Sequence, residues 1–198
     1  MIKKVYLFCG VESTGKSTAV ENIYNYLIEK GYKVKIVGEV GREVCANSGG
    51  VDQMSILDYE QILYLHQANF LKEYANKDYE IILLDTDSTY TRYYLEKDIE
   101  LLNENPKLCQ KLIKLSENIA NININCNRIS EIIYLNTDCP FVQDGTRTYE
   151  STRKEDDKTL FNLYNDIYGK HKSINIIRGE NYTQRTNQIL EIINKQKD

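Results

Sequence analysis

Residues 10–18 read Gly-Val-Glu-Ser-Thr-Gly-Lys-Ser-Thr, which satisfies the spacing G-x-x-x-x-G-K-[ST]. They follow the apolar run Val5–Cys9 and open into a pattern with Val20, Ile23, Tyr24, Leu27 and Ile28 at spacings of three and four. Apolar strand, glycine loop and amphipathic helix, in that order, form the context in which this spacing makes a P-loop. The glycines let the backbone coil until several N–H groups face one concavity, and the helix N-terminus behind them carries partial positive charge. Such a pocket selects phosphate. A Gly-rich turn that merely precedes a helix has no need of Lys-Ser-Thr at the helix start. Gly10, Glu12, Ser13, Thr14, Gly15, Lys16, Ser17 and Thr18 are therefore expected to bind a nucleoside triphosphate. Lys16 would reach the β- and γ-phosphates, and the Ser17 hydroxyl would ligate Mg2+.

A chain of 198 residues fits one domain and buries a core without staples, so residues 1–198 are read as a single unit. With 41% hydrophobic and 27% charged residues, the composition is that of a soluble globular protein. The net charge of −4, with no basic stripe, argues against a polymeric nucleic-acid partner. No apolar run is long enough to span a bilayer, and Met1-Ile2-Lys3-Lys4 leads straight into the P-loop strand, so no leader and no membrane partner are expected. Cys9, Cys45, Cys109, Cys126 and Cys139 form no C-x-x-C, and with only His66 and His171 beside them they make no zinc pattern. They read as reduced thiols of a cytoplasmic protein. Nothing in the sequence sets an oligomeric state.

Five apolar runs read as strands: Val5–Cys9, Val34–Val37, Ile81–Leu84, Ile132–Leu135 and Ile174–Ile177. Helical patterns fill the gaps at Lys16–Lys30, Ser55–Tyr74, Thr89–Leu95, Lys107–Ile119, Lys158–Tyr168 and Gln184–Lys195. Strands alternating with helices predict an α/β three-layer sandwich, a five-stranded and mainly parallel sheet with helices on both faces. Val34-Lys35-Ile36-Val37 alternates and is expected nearer an edge, and the Asn-rich stretch from Asn118 to Asn127 as a helix end and connector. Ligands of such sheets bind beyond the carboxyl ends of the strands. Those ends are polar here: Gly38-Glu39-Val40-Gly41-Arg42-Glu43, Asp85-Thr86-Asp87-Ser88, and the long segment Asn136 to Asp157.

Asp85 closes an apolar strand, where a carboxylate can hold Mg2+ directly or through water. Asp87 lies two residues on and shares its side if the strand geometry persists; alternatively, one of the pair caps the helix beginning near Thr89. Glu39 is placed to accept the proton of an attacking hydroxyl or to bind ribose hydroxyls, with Arg42 one helical turn later. The bland reading of that pair is a surface ion pair of little energetic weight. Arg147 and Arg153 lie in a polar segment, roughly 144–157, that reads as a lid bringing cations over a transferring phosphoryl group; the alternative is a solvated charged loop. On the helix Ser55–Tyr74 a face of Tyr59, Leu63, His66 and Phe70 reads as core, with Gln67 or His66 as candidates to touch a substrate ring.

Four ordered motifs together resemble the nicotinamide-riboside kinase domain of the bacterial regulator of NAD synthesis. They are Gly10-x-Glu12-Ser-Thr-Gly-Lys-Ser-Thr18, Glu39-Val-Gly-Arg42-Glu43, Asp85-Thr-Asp87 after an apolar strand, and Phe141-Val-x-Asp144-Gly145-x-Arg147. Val40 and Val44 stand where that family carries aromatic residues beside its Glu-x-x-Arg segment. The resemblance implies a stand-alone P-loop kinase with a nucleoside-monophosphate-kinase-like fold and an Arg-bearing lid. It also implies the cofactors ATP and Mg2+, and a nucleoside-like acceptor phosphorylated on its 5′-hydroxyl to give nicotinamide mononucleotide. The catalytic set would be Lys16, Asp85, Glu39, Arg147 and Arg153, the acceptor set Glu39, Arg42, Asp87 and Gln67, and the metal ligands Ser17 and Asp85. Two other classes stay open. Asp85-Thr86-Asp87-Ser88 with Arg92 also resembles deoxynucleoside kinases, and nucleoside-monophosphate kinases are near neighbours. A nucleotide-dependent switch is the other, although Asn136-Thr137-Asp138 lacks the Lys of a guanine-reading N-K-x-D.

Overall fold

The structure, a computed structural model, describes residues 3–50, 53–142 and 151–195. Five parallel strands, β1 (Lys4–Cys9), β2 (Val34–Val37), β3 (Ile81–Asp85), β4 (Glu131–Leu135) and β5 (Ile174–Ile177), lie in the order β2-β3-β1-β4-β5. Helices α1 (Lys16–Glu29), α2 (Gly41–Asn47), α3 (Ile56–Ala75), α4 (Ser88–Lys97), α5 (Ile99–Glu104), α6 (Pro106–Asn125), α7 (Arg153–Tyr168) and α8 (Tyr182–Lys195) connect them. The expected sandwich is present, with every described strand pairing parallel. Both β2 and β5 are edges, and β5 leaves Ile176 exposed.

Strand alternation sorts the core into two layers. Val5, Leu7 and Cys9 of β1 face Phe70, Tyr90, Tyr93, Ala120, Leu160 and Tyr164, which come from α3, α4, α6 and α7. Tyr6 and Phe8 face Ala19, Val20, Ile23 and Leu27 of α1 and Ile189 and Ile193 of α8. On β3, Ile81 and Leu83 belong to the α1 layer, and Ile82 and Leu84 to the other. Asp85 continues the parity of Ile81 and Leu83, which brings it toward the start of α1.

Some boundaries differ from the sequence-based expectation. The Asn-rich stretch is helical to Asn125, because Ile119, Ala120, Asn123 and Ile124 keep one buried face. α7 begins at Arg153 rather than Lys158. Its charged first turns carry Glu155 and Asp156, which suit a helix N-terminus. The short helices α2 and α5 replace expected loops. Arg147, Asp144 and the first half of the expected lid lie outside the described residues.

Candidate active site

The P-loop leaves β1 where the sheet order turns, with β3 on one side of β1 and β4 on the other. Two glycines are required here. Gly10 has φ 140°, and a Cβ on it would stand 2.3 Å from Leu135 O. Gly15 has φ 77° and lies under the Tyr182 ring, whose nearest carbon would be 2.7 Å from an added Cβ. Gly15 starts α1 with no side-chain cap, so the helix presents bare N–H groups to an anion. Thr14 Oγ1 donates to Val11 O at 2.8 Å and closes the turn.

Lys16 is buried and folds back over this loop, donating to Gly10 O (2.8 Å) and Val11 O (2.9 Å). Its Nζ lies 5.0 Å from the centroid of the Tyr90 ring. Tyr90 OH meets Tyr94 OH at 3.2 Å, and Tyr94 OH donates to Glu12 at 2.8 Å. Burial lowers the Lys16 pKa from its ordinary value, against the opposing pull of Glu39 and Asp85. Burial likewise raises Glu39, with Lys16 drawing it back down and Asp85 adding to the rise. Glu39 pairs with Arg42 at 3.2 Å, and the Arg42 side chain stays half-exposed. Glu39, Lys16, Asp85, Arg42 and Glu12 thus form one electrostatic cluster at the mouth of the P-loop.

Asp85 accepts from Ser17 Oγ on Oδ2 at 3.0 Å, while its Oδ1 is buried with no partner. An orphaned carboxylate oxygen beside a P-loop hydroxyl fits Mg2+, which takes one or two protein ligands and fills its shell with phosphate and water. No cluster of three or more His, Cys, Asp or Glu side chains forms another metal cage among the described residues. Ser17 and Asp85 would hold the ion.

Several candidate residues are placed differently from the sequence-based expectation. Asp87 does not share a side with Asp85. Between them Thr86 adopts φ 67°, a left-handed turn that ends the strand and sends Asp87 to the opposite layer. There Asp87 caps α4 through Thr89 N (3.0 Å) and accepts from Tyr164 OH (2.8 Å) and from Tyr168 OH. Gln67 is paired with Asn123 of α6 through reciprocal amide bonds of 3.3 and 3.1 Å. Arg153 is buried rather than poised in a loop. It donates to Ser13 O (2.9 Å) and Cys139 O (2.8 Å), and its Nε has no partner. Arg92 is held between Glu96 and Glu117, each at 2.7 Å. His66 is buried with Nε2 unpartnered, and burial lowers its pKa.

Arg185 is the site residue that the sequence did not single out. It is 1% exposed and donates to Thr14 O (2.7 Å), Gly179 O (2.7 Å) and Asn136 O (2.9 Å). A lone Arg on an amphipathic helix carries no motif. The one available signal was its place one turn into the helix after the last strand, at the ligand end of the sheet.

A family model described as an AAA domain matches residues 5–185. The chain belongs to that family. Among solved structures it shares its fold with the NadR protein in complex with NR (TM-score 0.72, 20% identity) and with NadR in complex with NAD and AMP-PNP (TM-score 0.69, 21% identity). Each alignment covers 98% of this chain and 49% of the other, so the chain spans about half the length of those proteins. Thymidylate kinase from Candida albicans matches with TM-score 0.55 and 16% identity, over 98% of this chain and 92% of that one. Comparison with curated protein sequences gave no match. At the level of fold, the resemblance drawn from the four motifs holds. Among the described residues no helix is long and apolar enough to cross a membrane.

Proposed function

We propose that this AAA-family chain is a cytoplasmic ATP- and Mg2+-dependent kinase that phosphorylates the 5′-hydroxyl of a ribosyl acceptor, nicotinamide riboside foremost, in NAD salvage. The observation that carries the reading is the cluster of Lys16, Glu39 and Asp85 at the P-loop mouth, with Ser17 on Asp85. Phosphoryl transfer asks for positioning and charge neutralisation more than for covalent chemistry. The acceptor oxygen attacks the γ-phosphorus, its proton passes to Glu39, and the bond to the β,γ-bridging oxygen breaks to release ADP. Lys16 leaves the Gly10 and Val11 carbonyls for the β- and γ-phosphates. Arg42 borders the acceptor, and Arg147 is assigned to charge that develops on the migrating group. Bound Mg2+ supplies further neutralisation on the phosphate oxygens.

The cluster sets three carboxylates, Glu12, Glu39 and Asp85, against two cations, Lys16 and Arg42. With Asp85 given to Mg2+ and Lys16 to the triphosphate, Glu12 and Glu39 remain against Arg42, and that excess favours an acceptor with its own positive charge, as the pyridinium of nicotinamide riboside has; a neighbour of the same fold was solved with NR. The half-exposed Arg42 also suits an acceptor phosphate, and for that reason a nucleoside-monophosphate kinase is the second reading. The test is product analysis with ATP and Mg2+ over nicotinamide riboside, the common ribo- and deoxyribonucleosides, and their monophosphates. Selective formation of nicotinamide mononucleotide is expected. A nucleoside diphosphate as the main product would replace it with the second reading, and ADP formed without an acceptor would overturn both.

A further inference from the structure

Two buried arginines from the last two helices grip consecutive carbonyls of the phosphate loop. Arg153 opens α7 and donates through Nη2 to Ser13 O at 2.9 Å; Arg185, in the first turn of α8, donates through Nη1 to Thr14 O at 2.7 Å. Each guanidinium is anchored behind the loop as well, Arg153 on Cys139 O (2.8 Å) and Arg185 on Gly179 O (2.7 Å) and Asn136 O (2.9 Å). Neither has a carboxylate among the hydrogen-bond partners described for it. Their positive charge is spent on backbone dipoles.

A peptide plane carries its C=O and the next residue's N–H on opposite edges. Drawing Ser13 O and Thr14 O outward therefore turns the N–H groups of Thr14 and Gly15 inward, toward the concavity that Lys16 closes. The loop needs this help, because Ser13 (φ 59°) and Gly15 (φ 77°) both sit in the left-handed region and Ser13 has a Cβ that disfavours it. Charge-assisted bonds to the two carbonyls offset that strain and polarise the same peptides toward an incoming anion. We infer that Arg153 and Arg185 are positioning residues for the triphosphate: they hold the P-loop in its anion-binding form before any ligand arrives. This rests on the kinase reading above only in requiring that the loop bind a polyphosphate.

The experiment measures the affinity of the full chain for ATP and for inorganic tripolyphosphate, with Arg153→Gln, Arg185→Lys and Arg185→Met beside the unchanged protein. Circular dichroism and melting identify the folded variants. Losing charge-assisted bonds weakens binding on the order of ten- to a hundredfold. The loss is expected to be the same for ATP as for tripolyphosphate, since it arises at the phosphates, and Arg185→Lys should recover part of what Arg185→Met loses. KM for the acceptor should stay where it was, which a general loosening of the fold would not allow. Folded variants that bind tripolyphosphate within about twofold of the unchanged protein overturn the inference. If both Arg185 variants fail to fold, Arg153→Gln alone decides by the same criterion. An unchanged protein that binds neither probe removes the triphosphate reading itself and the clasp with it; loss confined to the variants leaves that reading intact.

Discussion

Glu39 sits in a conflict between solvation and chemistry that a single substitution can expose. Burial raises its pKa above the ordinary 4.5 even with Lys16 and Arg42 nearby, so the ionised form is held at a cost in the ligand-free protein. A group whose folded pKa is raised gives its full stability below the unfolded value and loses it as pH rises through the folded one. Glu39→Gln is therefore expected to match the unchanged protein in melting temperature below pH 4.5 and to melt progressively higher than it as pH rises. The same change should lower kcat by about a hundredfold or more while leaving ATP affinity nearly unchanged, because only proton acceptance is lost. The acid limb of the kcat/KM profile, which reports the free enzyme, should lie above 4.5 and vanish in the Gln variant. Thermal melts across pH and initial rates check the two halves separately. A collapse of ATP affinity would make Glu39 part of the nucleotide site instead.

Helix α7 is fixed at both ends to the loops that carry the chemistry, and this is an element-scale property. Arg153 at its start holds the P-loop, while Tyr164 and Tyr168, stacked with ring centroids 6.0 Å apart, reach Asp87, two residues beyond the end of β3. Asp87→Ala removes the α4 cap and leaves two buried hydroxyls without an acceptor, so unfolding in urea should show a loss of about 3–5 kcal/mol. Asp87→Asn keeps an oxygen for Thr89 N and should lose roughly 1–2 kcal/mol. Equal losses would mean that the tyrosines do not depend on the carboxylate. The sequence showed the strands well, because β1, β3 and β4 are continuously apolar and bounded by polar switches. It showed the P-loop and the approach of Glu39 and Asp85 for the same reason: each lies at or just beyond the carboxyl end of a strand. It did not show the side on which Asp87 falls, since that turns on the φ of one residue, Thr86. Arg153 read as a lid cation, with a solvated loop as the alternative, because its charged neighbours are the exposed face of a helix start. The six- and seven-residue helices α5 and α2 are too short to build a period.

Over the whole molecule, the order of the chain and the order of its contacts run opposite ways. The first loop after the first strand is held by the last two helices: Ser13 O by α7, and Thr14 O by α8, which also packs Ile189 and Ile193 against the α1 layer. Occupation of the phosphate loop stabilises the peptides that these arginines grip, so its effect should spread along both helices rather than stop at the pocket. A ligand at a hundred times its Kd adds about 2.7 kcal/mol to the folded state. Where opening of a segment breaks the ligand site, its amide exchange slows by a corresponding factor. Hydrogen exchange with and without a non-hydrolysable ATP analogue should therefore show protection in α1, in the first half of α7 and in the first turns of α8. The outer faces of α3 and α5, which touch no phosphate-loop carbonyl, should stay at their ligand-free rates. Protection confined to residues 10–18 would mean that α7 and α8 open independently of the loop. In that case the two guanidinium contacts would be static packing, and the site would be built by α1 and the strand ends alone.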